Sequence, residues 1–390
     1  MPAMRCNREA HRAGTALDFL LRPLPAMKRI VDQGGAAGAY SDFSKAVIRW
    51  QKQHGRHELP WQRTRDAYRI WLSEIMLQQT QVSTVIPYYA RFLERFPDVG
   101  ALAAAPVEEV MALWSGLGYY TRARNLHRCA QKVVAEHDGR FPADVESLAS
   151  LPGIGRSTAA AISAFAYGTR AAILDGNVKR VFCRVFGIEG FPGSAPVEKR
   201  LWERAIALLP ATDIESYTQG LMDLGATLCT RSRPGCTACP LQSRCVAWAS
   251  HRTAELPERK PKKSVPEKST VMLVVEHQGA ILLEQRPPSG IWGGLLSLPE
   301  LNRLLPSVPA RIGKKALASA LVEFGEVESF EALAEFVHGF THYRLKVTPL
   351  RVKLSSSYLH ASQSSYQWVS RKKLASAGLP APVRKLLDTV

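Results

Sequence analysis

Two acids and a run of four cysteines are the residues whose types and spacing could do chemistry in this chain. Glu74 lies in WLSEIMLQQTQV (71–82), where at helical period Ile70 and Trp71 sit one turn behind it and Leu77 one turn ahead, so the carboxyl faces with apolar side chains. A carboxylate in such a setting costs free energy unless it is paired, protonated or used, and the apolar wall pushes its pKa upward. Asp175 lies in ILDGNVKRVFCRVFG, after an apolar run and before Gly176 and Asn177, which is the position of a helix N-cap. A capped Asp that accepts N–H donors is expected to stay ionised at neutral pH. Two acids driven apart in pKa supply one proton donor and one fixed negative charge, the pair that cleavage of a glycosidic bond requires. Each alone also has a plain reading, a helix-edge Glu that bends to water and an Asp that only caps.

Cys229, Cys236, Cys239 and Cys245 follow a C-x6-C-x2-C-x5-C spacing. Four thiolates in one loop wrap a single tetrahedral metal or the four corners of an iron–sulfur cube, and spacing alone leaves zinc and iron–sulfur both open. The 7 cysteines are odd in number and bunched, which favours a reducing compartment with a metal centre over a disulfide framework. Arg231, Arg233 and Arg244 between the ligands add positive charge suited to phosphate. In LPGIGRSTAAAISAFA (151–166), Pro152, Gly153 and Gly155 make a tight turn, and Ser157 or Thr158 starts a helix whose first N–H groups lack partners. Glycines let a phosphate approach the backbone there, although the same turn also serves as plain architecture. Gln78 and Gln79 in LQQTQ and Tyr119 in GLGYY fall on turns; polar or flat groups of this kind fill the hole left when a base leaves its stack, or are ordinary loop residues.

These groups need elements to hold them. Residues 41–250 read as helix after helix, with apolar faces at period 3.6 and Pro/Gly punctuation, so this part is predicted all-α. Residues 251–268, HRTAELPERKPKKSVPEK, are basic and nearly without apolar content, a solvated linker. Beyond it, TVMLVVE and ILLEQR around a Gly-containing turn predict a hairpin, ALASALVEFG a helix, and LKVTPLRVKL and SYQWVS further strands, so 269–390 form a small α+β domain. Residues 1–40 are read as an extension without fold, disordered or the product of a start placed upstream of Met27. The 390 residues carry 51 Lys plus Arg against 34 Asp plus Glu, a net +17 that suits a polyanion. No apolar run is long enough to span a membrane, so no membrane partner is expected.

Taken in order, the helical Glu74, the LPGIG turn, LDGNVKRV and the four-cysteine loop resemble the helix-hairpin-helix DNA glycosylases of the endonuclease III superfamily, and LPWQ, SEIMLQQTQV, GLGYY and LDGNVKR resemble their adenine DNA glycosylase branch. The resemblance covers roughly residues 41–250. It implies that Glu74 protonates N7 of an extruded adenine, that Asp175 stabilises the sugar cation, that Asn177 places water or Asp175, and that the cysteines hold a 4Fe-4S cluster. It places Trp61, Leu77 and Gln219 at the adenine pocket and makes Gln79 and Tyr119 intercalating residues. Ser157 stands where strand-cleaving relatives carry a Schiff-base lysine, which implies a monofunctional enzyme without strong lyase activity. The C-terminal part resembles the Nudix-like domain of the same branch. RPPSGIWGGLLSLPE begins a Nudix box with Gly294 and Glu300, but LNRLLPSVPARIG lacks the downstream acids that hold magnesium, so pyrophosphatase activity is not expected. In FTHYRL, Thr341 replaces the serine of the family's 8-oxoguanine-inspecting loop, and His342 follows it. The implied partners are duplex DNA containing A:8-oxoguanine or A:G and downstream abasic-site processing proteins; the implied state is a monomer on the nucleoid in the cytoplasm.

Overall fold

The structure is a computed structural model and describes residues 36–260, 265–287, 290–340, 342–358 and 365–390. The expected N-terminal extension lies outside these residues except for its last few, which open the helix Ala36–His54. The chain divides into two compact units, each built from two stretches: the chain up to Arg56 with Ala172–Arg259, and His57–Ala171 with Lys260–Val390. Among the described residues no strand occurs before Glu267, as the 3.6-residue periodicity requires.

In the first unit, helices Ala36–His54, Gly176–Val185, Ala195–Ala207 and Ile214–Asp223 pack together, with the Phe43 ring 6.0 Å from Phe182 and 5.6 Å from Phe186. The last of these helices runs on into a π turn, Leu224–Leu228, which leads to the cysteine loop. Asp223 ends that helix wholly buried. It accepts from the Arg56 backbone N–H at 2.8 Å, the Arg56 Nε at 2.7 Å and the Gln219 Nε2 at 2.8 Å. Three donors therefore converge on one carboxylate. Asp223→Ala should cost about 3 kcal/mol of unfolding free energy, because all three donors lose their acceptor at once. A urea midpoint that falls at constant slope would register the loss, and an unchanged midpoint would refute it.

In the second unit, Asp66, Asp98 and Asp144 start the helices Ala67–Leu77, Val99–Ala104 and Val145–Ala149, each accepting a backbone N–H at 2.8 Å. The helices Val82–Arg95, Val107–Trp114, Thr121–His137 and Arg156–Tyr167 complete this part, over buried Trp71, Phe92, Phe96, Trp114 and Leu126. The sheet of the same unit contains β1 (Glu267–His277), β2 (Ala280–Gln285), β3 (Leu296–Ser297), β4 (Val327–Ala332), β5 (Phe336–Gly339), β6 (Arg344–Leu354) and β7 (Tyr366–Ser370). The main path is β3-β2-β1-β6-β4, with β5 on β6 and β7 on β2. The expected hairpin is present, turning through Gln278 and Gly279 at positive φ. β1 begins at Glu267, inside the expected linker, because it pairs in parallel with β6 from Glu267 opposite Arg344. β4 and β5 escaped sequence reading. They form an edge whose side chains are mostly exposed, so the apolar alternation that marks a strand is missing. The helix expected over ALASALVEFG spans Lys314–Ala320 only. Glu300 precedes a helix of 4 residues, Leu301–Leu304, and is engaged by the Arg286 guanidinium and by Thr270 Oγ1 at 2.9 Å. One apolar cluster runs from Trp71 and Trp114 through Met272 and Leu295 to Leu379.

Candidate active site

Glu74 is half-buried in the helix Ala67–Leu77, with Trp71, Leu72, Ser73, Ile75 and Met76 around it all buried. The helix stops at Leu77 because the chain turns at once: Gln79 adopts φ 59°, in the left-handed region that costs a side-chain-bearing residue roughly 1–2 kcal/mol. Tyr119 does the same at φ 51° between Gly118 and Tyr120, and its side chain is 49% exposed. Both strained residues are among those the sequence singled out for duplex contact.

The Leu151–Gly155 turn supplies the third side of the same place. Gly153 has φ +79°, and a Cβ there would come within 2.9 Å of the Asn125 Cβ, so both backbone conformation and packing demand glycine. A Cβ on Gly155 would meet nothing within 4 Å. Gly155 is the N-cap of the helix Arg156–Tyr167 and makes no side-chain capping bond to it. A cleft of about 210 Å³ is lined by Gln78, Gln79, Tyr119, Asn125, Pro152 and Gly153, among others. It thus gathers five of the expected DNA-contacting residues from three separate loops, one turn beyond Glu74. Asn125 was not legible as a site residue, since nothing in TRARN marks it. Ser157 is half-buried in the first turn of its helix, and Gln78 Nε2 reaches Thr158 Oγ1 at 3.5 Å.

Trp61 is only 7% exposed, its ring edge-on to Tyr89 at 5.4 Å, while Leu77, the last residue of the Glu74 helix, is half-buried. His342 is exposed beside the Tyr343 ring at 4.9 Å, and Tyr343 stacks on Phe340 at 4.6 Å. Thr341 lies outside the described residues.

The other unit carries Asp175, Asn177, Gln219 and the four cysteines. Asp175 is the N-cap of the helix Gly176–Val185 and accepts from the Val178 N–H at 2.8 Å and from Asn177 Nδ2 at 3.3 Å. Its pKa departs from the sequence expectation. Burial raises the carboxyl above its ordinary value and outweighs the N–H groups of Val178 and Asn177 and the Arg180 charge, all of which pull the other way. Arg180 donates to Asn177 Oδ1 at 2.8 Å, Gly225 O at 2.6 Å and Cys229 O at 2.7 Å. Its spacing of three residues from Asn177 on one helix could have suggested the first contact. Gly225 is required by closeness, since a Cβ there would lie 2.4 Å from the Asn177 Cβ. The four cysteine side chains line one pocket together with Arg184, whose Nη1 lies 3.4 Å from Cys229 Sγ and 2.7 Å from Thr230 O. Among the described residues, no three His, Cys, Asp or Glu side chains converge as a single metal ion would need. Arg231 and Arg233 are exposed on this loop and Arg244 is half-buried.

A family model for the HhH-GPD superfamily of base excision DNA repair proteins matches residues 72–205, and one for the NUDIX domain matches residues 270–389. The adenine DNA glycosylase of Buchnera aphidicola subsp. Acyrthosiphon pisum is 34% identical over 348 residues, covering 89% of this chain and 97% of that protein. The adenine DNA glycosylase of Mus musculus is 34% identical over 399 residues, covering 88% of this chain and 77% of that protein. Among solved structures, a thermostable thymine-DNA glycosylase matches with a TM-score of 0.48 at 28% identity, covering 54% of this chain and 97% of that one.

Proposed function

The chain belongs to the adenine DNA glycosylase family, and from that premise we propose that it removes adenine mispaired with 8-oxoguanine or guanine, hydrolysing the glycosidic bond without cutting the strand. It would approach duplex DNA through its basic surface, with affinity falling steeply as salt rises. Gln79 and Tyr119 would enter the stack while the Leu151–Gly155 turn and the start of the helix Arg156–Tyr167 approach a phosphate. With the adenine extruded, Glu74 donates a proton to N7, the bond from C1′ to N9 breaks, and Asp175 provides the negative charge opposite the developing sugar cation. Water then adds at C1′, with Asn177 positioning Asp175 or that water. Trp61, Leu77 and Gln219 are proposed to line the adenine pocket, and Thr341 and His342 to inspect the 8-oxoguanine. The cleft bordered by Gln78, Gln79, Tyr119, Pro152 and Gly153 at the end of the Glu74 helix is the observation that carries this reading.

Four thiols around one pocket, with a buried guanidinium beside one sulfur, suit a 4Fe-4S cluster held by Cys229, Cys236, Cys239 and Cys245. The choice of a cube over one zinc ion rests on the resemblance of the chain to its family, since four thiols in one loop can hold either. When bound, such a cluster supplies cross-links across the loop; Arg184 holds that loop through Thr230 O and Arg231 O. In the Nudix-like part, Glu300 is engaged by Arg286 and Thr270.

Excision from A:8-oxoguanine, A:G and T:G duplexes, with and without alkali, tests the proposal. Adenine should be released from the first two, with strand breaks only after alkali. Processing of T:G, or nicking without alkali, would overturn it.

A further inference from the structure

Building on the wedge role given above to Gln79 and Tyr119, we propose that Arg122 is the positioning residue of the wedge: it locks the Gln78–Thr80 turn, the Gly116–Tyr119 turn and the end of the Glu74 helix into one block. Arg122 lies in the first turn of the helix Thr121–His137. Its Nη1 donates to the carbonyls of Ile75 at 3.0 Å, Met76 at 2.8 Å and Gln78 at 2.5 Å. Its Nη2 donates to Thr80 Oγ1 at 3.0 Å and to the carbonyls of Leu117 at 3.3 Å and Gly118 at 3.2 Å.

The acceptors are the ones that matter for a wedge. Ile75 and Met76 lie in the last turn of a helix that ends at Leu77, so their carbonyls have no intrahelical N–H to receive, and a cation there also suits the negative end of the helix dipole. Gln78 and Thr80 flank Gln79, and Gly118 precedes Tyr119, so one guanidinium holds the neighbours of both left-handed residues. The same group lies 5.3 Å from the Trp114 ring and 5.5 Å from the exposed Tyr119 ring, which steadies the latter from behind. Burial lowers its pKa to about 10, so it remains a cation at neutral pH. Lysine cannot replace it, because three donors on one nitrogen do not span acceptors spread over two loops.

A wedge that is preorganised pays its ordering cost before it meets DNA, and one that is loose must pay it during base extrusion. Arg122→Lys should therefore weaken the opening step specifically. We expect single-turnover adenine release from an A:8-oxoguanine duplex to fall at least tenfold, and the fluorescence rise of 2-aminopurine placed opposite 8-oxoguanine to be lost, while binding to fully paired duplex stays within twofold. The same adenine in a bubble of flanking mismatches, already unstacked, should be released at nearly the parent rate. An equal loss on duplex and bubble, or no loss on either, would overturn the inference. If the parent protein itself releases no adenine from either substrate, the functional reading fails instead. Should Arg122→Lys not fold, Thr80→Val removes a single acceptor and should shift the duplex-to-bubble ratio in the same direction by about threefold; a parental ratio in that variant would likewise overturn the proposal.

Discussion

Glu74→Gln is expected to release adenine at least about a hundredfold more slowly than the parent, the usual loss when a positioned proton donor is removed, while binding the A:8-oxoguanine duplex with the parent's affinity. Glutamine has the same size and retains hydrogen-bonding capacity, so the half-buried site among Trp71, Ile75 and Met76 keeps its packing. What it cannot do is transfer a proton to N7 as the leaving base takes up charge. In the proposed role the residue acts on the barrier and not on the encounter, so the two measurements separate it from a binding role. Single-turnover excision together with gel-shift titration decides it. Excision at the parent rate would remove Glu74 from the mechanism, and a parallel loss of binding would make it a structural or DNA-contacting residue.

Asp175→Asn should separate stability from activity. Asparagine is as good an N-cap as aspartate and can still accept the Val178 N–H at the start of the helix Gly176–Val185. Because burial raises the Asp175 pKa in the folded state, its ionisation opposes folding. The sign follows: the favourable contribution is fully present below the unfolded value near pH 4 and is lost as pH rises through the higher folded value. At pH 7 the Asn variant should thus melt at the parent's temperature or above it, with its relative advantage shrinking toward pH 4. Adenine release should nevertheless fall on the order of a thousandfold, since the negative charge proposed to stabilise the developing cation is gone. The parent's own rate should drop on the acid side at a pH above the ordinary aspartate range. A melting temperature clearly lowered at pH 7, or a rate within tenfold of the parent, would contradict this account.

These two residues also mark how far a linear reading reaches. Glu74 was recognisable because helical period alone decides which way a side chain faces, and its half-burial agrees. Asp175 was recognisable as a cap because capping depends on neighbours within three residues. Its pKa was not, since desolvation depends on everything packed around the carboxyl, and the sequence showed only the donors that pull the other way. The β1–β2 hairpin was visible through its β-rich flanks and glycine turn, whereas β4 and β5 were not, being held by pairing with β6 and not by a pattern of their own.

Motifs whose chemistry is local were therefore set by the sequence alone: a carboxyl on an apolar helix face, a cap, a glycine turn, four cysteines in one loop, and through their joint order the family. Only the tertiary structure decided that LQQTQ, GLGYY and LPGIG border one cleft, that Asn125 completes it and makes Gly153 obligatory, and that a single guanidinium, Arg122, ties two of those loops together. The reason is the range of the forces. Backbone preference and periodicity act over a few residues, but a half-buried cation must find its acceptors wherever folding brings them, here in one loop close by and in another more than forty positions away along the chain.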